Sequence, residues 1–233
     1  MGSFPPSKPV ALDQYHYRSG SPWQHLVVDE AFDPDLVGSA ASFIATLPDE
    51  AFVWYANRRL RRGLLSDREG MGAAASSLWS ALSSDEFVNE LGDLTGIGGL
   101  CSDPNLAGAG VYVTPPGGWQ NVHQDPPRHP INRLWSRVAV LLYLSDWQPG
   151  DGGELELWSE DLASPPMMIE PRQGRMVIFA PTAKTLHAIR RSSSSRRRIV
   201  LSSRYYSTEC PSVLPRLYER CRFGLYGMLF RLR

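Results

Sequence analysis

No run of 18 consecutive apolar residues occurs in the chain, so no membrane-crossing helix is expected. Cysteine is scarce. Cys101, Cys210 and Cys221 are odd in number and form no Cys-x-x-Cys pair. That argues against a disulfide framework and for a reducing compartment, with the cytoplasm as the expected location. Net charge is also absent, since 24 Lys+Arg balance 24 Asp+Glu, and nothing global points to a nucleic-acid partner. The first residues, Met1-Gly-Ser-Phe-Pro-Pro, contain no apolar signal core. Pro6 stands where a myristoylation motif needs Ser or Thr.

What is present is an ordinary globular composition. The 233 residues are 42% hydrophobic and 21% charged, enough for one sizeable core. The charge is unevenly laid. Residues 1–187 carry 13 Lys+Arg against 22 Asp+Glu, whereas residues 188–233 carry 11 against 2.

Residues 1–22 are rich in Pro and Ser and are expected to be loose. Trp23 to Asp29 reads as a first strand with Leu26 and Val28 on one face. Asp33-Pro34 starts a helix, as N-cap and first helical residue, that runs to about Thr46 before Pro48. Phe52 to Ala56 reads as a strand. The arginines between Arg58 and Arg62 read first as a solvated loop, with an active-site lip for an acidic substrate as the other reading. Two helices are expected after Gly72 and after Ser84. Strands follow at Ala109–Thr114, Trp119–His123, Arg137–Leu144, Glu154–Trp158, Gly174–Ala180, around His187, and at Arg198–Tyr206. Glu154 and Glu156 share a strand face. We read them as its wet side rather than as a glycosidase pair.

One stretch carries chemistry. In Trp119-Gln-Asn-Val-His-Gln-Asp-Pro-Pro, His123 and Asp125 stand two apart, which on a strand aims both at one point. The best candidate for a third ligand is His187. Two imidazoles and one carboxylate with open positions form the donor set of non-haem Fe(II) sites. His129 is the rival ligand, placed off the strand. His16 and His25 lie outside the motif region and are expected to be structural or solvated.

Tyr143-Leu-Ser-Asp-Trp147, Gly152-Gly-Glu-Leu-Glu-Leu-Trp158, Gly174-Arg-Met-Val-Ile-Phe179, His187 and Arg198 then follow in order. This order resembles the prolyl 4-hydroxylase-like branch of the iron and 2-oxoglutarate-dependent dioxygenases, over about residues 105–206. The resemblance implies a mainly β fold with flanking helices, a double-stranded β-helix (jelly roll, cupin-like). It implies Fe(II), 2-oxoglutarate and O2, with ascorbate in support. It makes His123, Asp125 and His187 the metal ligands, and gives Arg198 and Tyr143 the distal carboxylate of 2-oxoglutarate. Arg197 is the fallback for Arg198, and a backbone-bonded Tyr is the plain alternative for Tyr143. Halogenating relatives carry Gly or Ala at the position of Asp125, so a carboxylate there implies hydroxylation or a related C–H oxidation.

Trp119, Gln120 and Arg204 are the candidates for substrate contact. Core packing is the other reading for Trp119, and an outer ion pair for Arg204. Residues 23–206 are expected to form one jelly-roll domain with a helical N-terminal part. The basic, aromatic segment 207–233 reads as a terminal helix on the barrel, or as a membrane-surface or docking helix. The expected reaction is hydroxylation of an unactivated C–H bond in a small molecule, amino acid or peptidyl residue. The alternatives are a protein prolyl-type hydroxylase and a metal-binding cupin-like module without turnover. The sequence names neither substrate nor oligomeric state.

Overall fold

The computed structural model describes residues 11–210. Most of the basic C-terminal segment, at 211–233, and the first ten residues of the segment expected to be loose lie outside the described residues. Helix α1 (Gln14–Ser19) is followed by β1 (His25–Val28), α2 (Pro34–Thr46), β2 (Val53–Ala56) and β3 (Arg61–Leu65). Helices α3 (Gly72–Leu82) and α4 (Asp85–Thr95) come next. The strands β4 (Cys101–Ser102), β5 (Gly110–Thr114), β6 (Gln120–His123), β7 (Trp135–Tyr143) and β8 (Leu155–Trp158) then lead to β9 (Met167–Ile169), β10 (Met176–Phe179), β11 (Leu186–Ile189) and β12 (Arg198–Ser207).

Two antiparallel sheets make the body. The larger runs β1-β10-β7-β12-β5-β3-β2, with β4 paired to β12, and the smaller runs β6-β11-β8-β9. Their inner faces meet in a cluster of Tyr112, Tyr143, Val177, Phe179 and Val200 from one sheet and Leu155, Leu157 and Ile169 from the other. This is the expected jelly roll. The outer face of the larger sheet is covered by the helices. Leu36, Ile44, Leu78, Leu82, Phe87 and Leu91 pack with Val138, Val140, Leu142, Ile199, Leu201 and Tyr205. Strand alternation therefore splits β12 in two: Ile199, Leu201 and Tyr205 go to the helices, and Val200 goes to the barrel interior.

The helix starts follow local chemistry. The Asp33 carboxylate accepts from the backbone N–H groups of Asp35 and Leu36, and Ser84 accepts from Phe87. Gly96 closes α4 at φ 71°, a left-handed position that suits glycine. Four expectations need correction. The segment expected to be loose holds α1, capped by Asp13, whose side chain accepts from the His16 N–H. Arg61 and Arg62 open β3 rather than sitting in a loop. Strands β4 and β9 went unforeseen, because two or three residues carry no readable periodicity. Strand β6 ends at His123, so Asp125 lies beyond the strand that was expected to carry it.

Candidate active site

His123 and His187 are register partners on β6 and β11, so their side chains leave the small sheet side by side. Their rings lie 4.2 Å apart between centroids. Asp125 Oδ1 lies 3.9 Å from His123 Nε2 and 3.7 Å from His187 Nε2. One ligand atom from each residue falls within 4.8 Å of the others, a spacing that a single metal ion can bridge. Nδ1 of His123 faces the Asn121 carbonyl at 3.0 Å, and Nδ1 of His187 faces the Thr185 carbonyl at 3.0 Å. A carbonyl only accepts, so both Nδ1 atoms carry the proton and both Nε2 lone pairs turn to the shared point. That is the outer-shell pattern of metal-binding imidazoles. Burial, helped by the neighbouring His187, pulls the His123 pKa down to about 3, which keeps its ring neutral as a ligand must be.

Asp125 gets its orientation from β12. Arg204 Nη2 donates to Asp125 Oδ1 at 2.8 Å, while Arg204 Nε donates to the Gly108 carbonyl at 3.1 Å. Burial pushes the Asp125 carboxyl up, but the Arg204 guanidinium that donates to it outweighs this and holds it below the usual carboxylate range. A carboxylate ionised in a buried place beside two imidazoles offers a divalent cation the donors it prefers.

A second group of polar atoms lies deeper. Arg198 is buried at the start of β12, with Nε donating to the Gly153 carbonyl at 2.7 Å and its guanidinium 4.9 Å from the Tyr143 ring centroid. Its Nη1 and the Tyr143 hydroxyl are both shut off from solvent and neither makes a hydrogen bond of sound geometry. Buried polar groups are normally satisfied, so this orphan pair marks a place for an anionic oxygen ligand. Glycine is required opposite: Gly153 sits at φ 75°, and a Cβ there would come within 2.9 Å of Arg198 Cδ. Arg197 points the other way. It donates to the Leu47 carbonyl and the Asp49 carboxylate and stacks on Phe52, outside the barrel.

Gln120 stands beside the metal site, although strand parity alone would turn it away from His123. The pairing of β6 with β11 shifts register between His187↔His123 and Ile189↔Gln120, an irregularity that brings both side chains to one side. Gln120 Nε2 donates to His123 Nε2 at 2.9 Å, and Gln120 Oε1 accepts from Arg62 Nη1 at 2.8 Å. Arg62 is thus half-buried against the Tyr112 ring, 4.3 Å from its centroid. The solvated-loop reading fails for Arg62 and for Arg61, an exposed strand residue, and holds for the exposed Arg58 and Arg59. The signal was strand alternation: Arg62 precedes Leu64 by two, and Leu64 packs on the inner cluster. Trp119 is half-buried under Arg191, 4.1 Å away, just before β6. His129 is buried elsewhere, its Nδ1 accepting from Ile131 and Asn132. His16 is exposed beside Asp13, and His25 is buried beside Trp23. Glu154 and Glu156 are half-buried rather than wet. Glu156 accepts from Trp158 Nε1.

Residues 109–206, nearly the whole barrel, match the family model of the 2OG-Fe(II) oxygenase superfamily. Over these residues the chain is similar to that superfamily, and the donors and orphan pair above fit what that class binds. Solved structures agree on the fold. A prolyl-4-hydroxylase from Pseudomonas putida superposes with a TM-score of 0.63 at 20% identity, over 78% of this chain and 92% of that one. The carbocyclase SnoK of nogalamycin biosynthesis, described as non-haem and alpha-ketoglutarate-dependent, gives 0.58 at 16% identity, over 89% and 88%. A prolyl hydroxylase from Trichoplax adhaerens, in complex with a hypoxia inducible factor peptide fragment, gives 0.55 at 16%, over 78% and 83%. Among curated proteins, none matches the sequence. Among the described residues, no helix is long and apolar enough to cross a membrane.

Proposed function

We propose that this chain is a 2-oxoglutarate-dependent non-haem iron dioxygenase that hydroxylates an unactivated C–H bond of a small molecule, an amino acid or a peptidyl residue. His123, Asp125 and His187 hold Fe(II), and Arg198 with Tyr143 holds the distal carboxylate of 2-oxoglutarate. Residues 23–206 are the catalytic unit, working in the cytoplasm, with ascorbate in support. The observation that carries the reading is the buried orphan pair, Arg198 Nη1 and Tyr143 OH, set on the same barrel interior as the three convergent ligands. A metal-binding module without turnover has no use for that pair.

Fe(II), 2-oxoglutarate and O2 supply the oxidising power when bound; the protein supplies position and a dry site. The two imidazoles present Nε2 because their Nδ1 protons are held by backbone carbonyls. Arg204 keeps Asp125 ionised and turned inward. Val200 and Tyr143, both buried, wall the cosubstrate side against water.

The test is anaerobic binding of Fe(II) and 2-oxoglutarate, read by the visible metal-to-ligand charge-transfer band. The wild type shows the band, His123→Ala lacks it, and Arg198→Ala needs about tenfold or more additional 2-oxoglutarate, as expected for one lost charge-assisted contact. A wild type with full iron occupancy and no band sinks the reading.

A further inference from the structure

We propose that the substrate carries an oxyanion, a carboxylate or a phosphate, and that Arg62 receives it beside the metal centre. This rests on the preceding assignment of Arg198 to 2-oxoglutarate and names the substrate class of that same site.

One cation beside the site is left over. Arg62 points into the barrel on the parity of Leu64, with its guanidinium against Tyr112 on the inner face. It gives the protein one hydrogen bond, Nη1 to Gln120. Its Nε is buried without a partner, and Nη2 has no bond to any described residue. Nε and Nη2 together form the side-on edge of a guanidinium, which takes two oxygens of one carboxylate or phosphate in parallel. Among the described residues, no carboxylate lies within ion-pair distance of Arg62. Asp125 attracts it from further off, but that carboxylate already receives Arg204 at 2.8 Å and faces both metal-site imidazoles. Burial pulls the Arg62 pKa down, the mark of a cation short of counter-charge.

A guanidinium held this way is costly unless an anion joins it. 2-Oxoglutarate brings two carboxylates. Arg198 would hold the distal one, and the three metal-site residues would hold the ion that takes up the other. Arg62 is then uncommitted. Its place is set by Gln120 Oε1, which accepts from Nη1; the amide nitrogen of Gln120 rests on His123 Nε2 and would give that atom up to a bound metal. Gln120 can take only this orientation, since Arg62 must donate and the free His123 Nε2 must accept. An anion on the open edge of Arg62 therefore anchors a substrate on the His123 side of the centre, near enough to Arg198 for the two guanidiniums to repel each other. The neighbouring Arg204 Nη1, also buried without a partner, adds positive potential there.

The experiment uses the full chain, anaerobic, loaded with Fe(II) and 2-oxoglutarate, with the charge-transfer band as readout. Two matched pairs are titrated: butyrate against butyramide, and butyl phosphate against 1-butanol. An anion shifts the wild-type band at a half-saturating concentration about tenfold or more below its neutral counterpart. Which of the two anions does so names the oxyanion. Arg62→Gln abolishes the preference, and Arg62→Lys keeps part of it; thermal melts of both confirm that they are folded. The inference is overturned if the wild type shows its band but no anion preference, or if the preference survives in Arg62→Gln. It is overturned equally if butyrate erases the band by displacing 2-oxoglutarate, or if Arg62→Gln raises the 2-oxoglutarate requirement as Arg198→Ala does. Absence of the wild-type band overturns the cosubstrate assignment instead, and this inference with it.

Discussion

Asp125 is held less by the strand before it than by an arginine 79 residues further along the chain. Strand β6 stops at His123, and Pro126 and Pro127 offer no ladder to extend it. Arg204 supplies the missing restraint by bridging the carboxylate to the Gly108 carbonyl. Partners of this kind typically govern metal affinity by one or two orders of magnitude. Arg204→Met is therefore expected to weaken Fe(II) binding about 10- to 100-fold, measured by competition with a chromogenic chelator. Arg204→Lys should recover only part of the loss, because an ammonium cannot span both acceptors in a fixed plane. Unchanged affinity in Arg204→Met would show that Asp125 needs no such clamp. The residue identities at the metal site were readable from His123-x-Asp125 and the later His187. The support given by Arg204 was not, because parity placed it inward without saying what it would meet.

At the level of elements, legibility followed how local the signal was. The caps at Asp33 and Ser84 and the stop at Gly96 are fixed by neighbours within four residues, and α2 and α4 lie where those signals set them. The register irregularity in β6 was hidden, since it depends on β11, more than sixty residues away. It decides whether Gln120 meets His123 at all. Strand β1 shows a further effect of packing on chemistry. His25 is buried there, with Nδ1 donating to the Trp23 carbonyl at 2.8 Å. Burial lowers its pKa, and the Trp23 carbonyl offsets that only in part. The sign follows from linkage. The unfolded chain takes up the proton near pH 6.5, whereas the folded one resists until a lower pH, so stability falls as pH drops through that window. Urea unfolding of the metal-free protein between pH 5 and 7.5, with His25→Gln beside the wild type, measures the share of this one ring. The variant should lose up to about 1.4 kcal/mol per pH unit of the wild-type slope. Identical slopes would mean that His25 titrates alike in both states.

Across the whole molecule, one sheet serves two purposes on its two faces. The outer face of β12 and β7 meets the helices in a largely apolar layer, where Leu78, Leu82 and Leu91 have no exposure and the Tyr205 hydroxyl donates to the Leu82 carbonyl. The inner face of the same strands carries Arg204, paired with Asp125, and Arg198 and Tyr143, a buried cation and a hydroxyl that cost stability unless a ligand joins them. The apolar layer must then supply the stability that the inner face withholds. This division was legible in outline, as apolar strands flanked by capped helices. The allocation of polar atoms within the barrel was not, because it depends on which long side chains face one another across it. The division makes a prediction of its own. Leu78→Ala empties part of the outer layer and should cost about 2–5 kcal/mol, lowering the melting temperature by about 2–4 °C for each kcal/mol. The folded variant should still form the Fe(II) and 2-oxoglutarate charge-transfer band at the wild-type cosubstrate concentration, because Leu78 touches neither guanidinium nor metal ligand. Arg198→Met should do the reverse: the melting temperature of the ligand-free protein holds or rises, since a buried unpaired cation is removed, while the cosubstrate requirement climbs. If Leu78→Ala instead raised the 2-oxoglutarate requirement in step with its loss of stability, the two faces would be coupled through β12. The site would then depend on the helical layer for its geometry as well as for its stability.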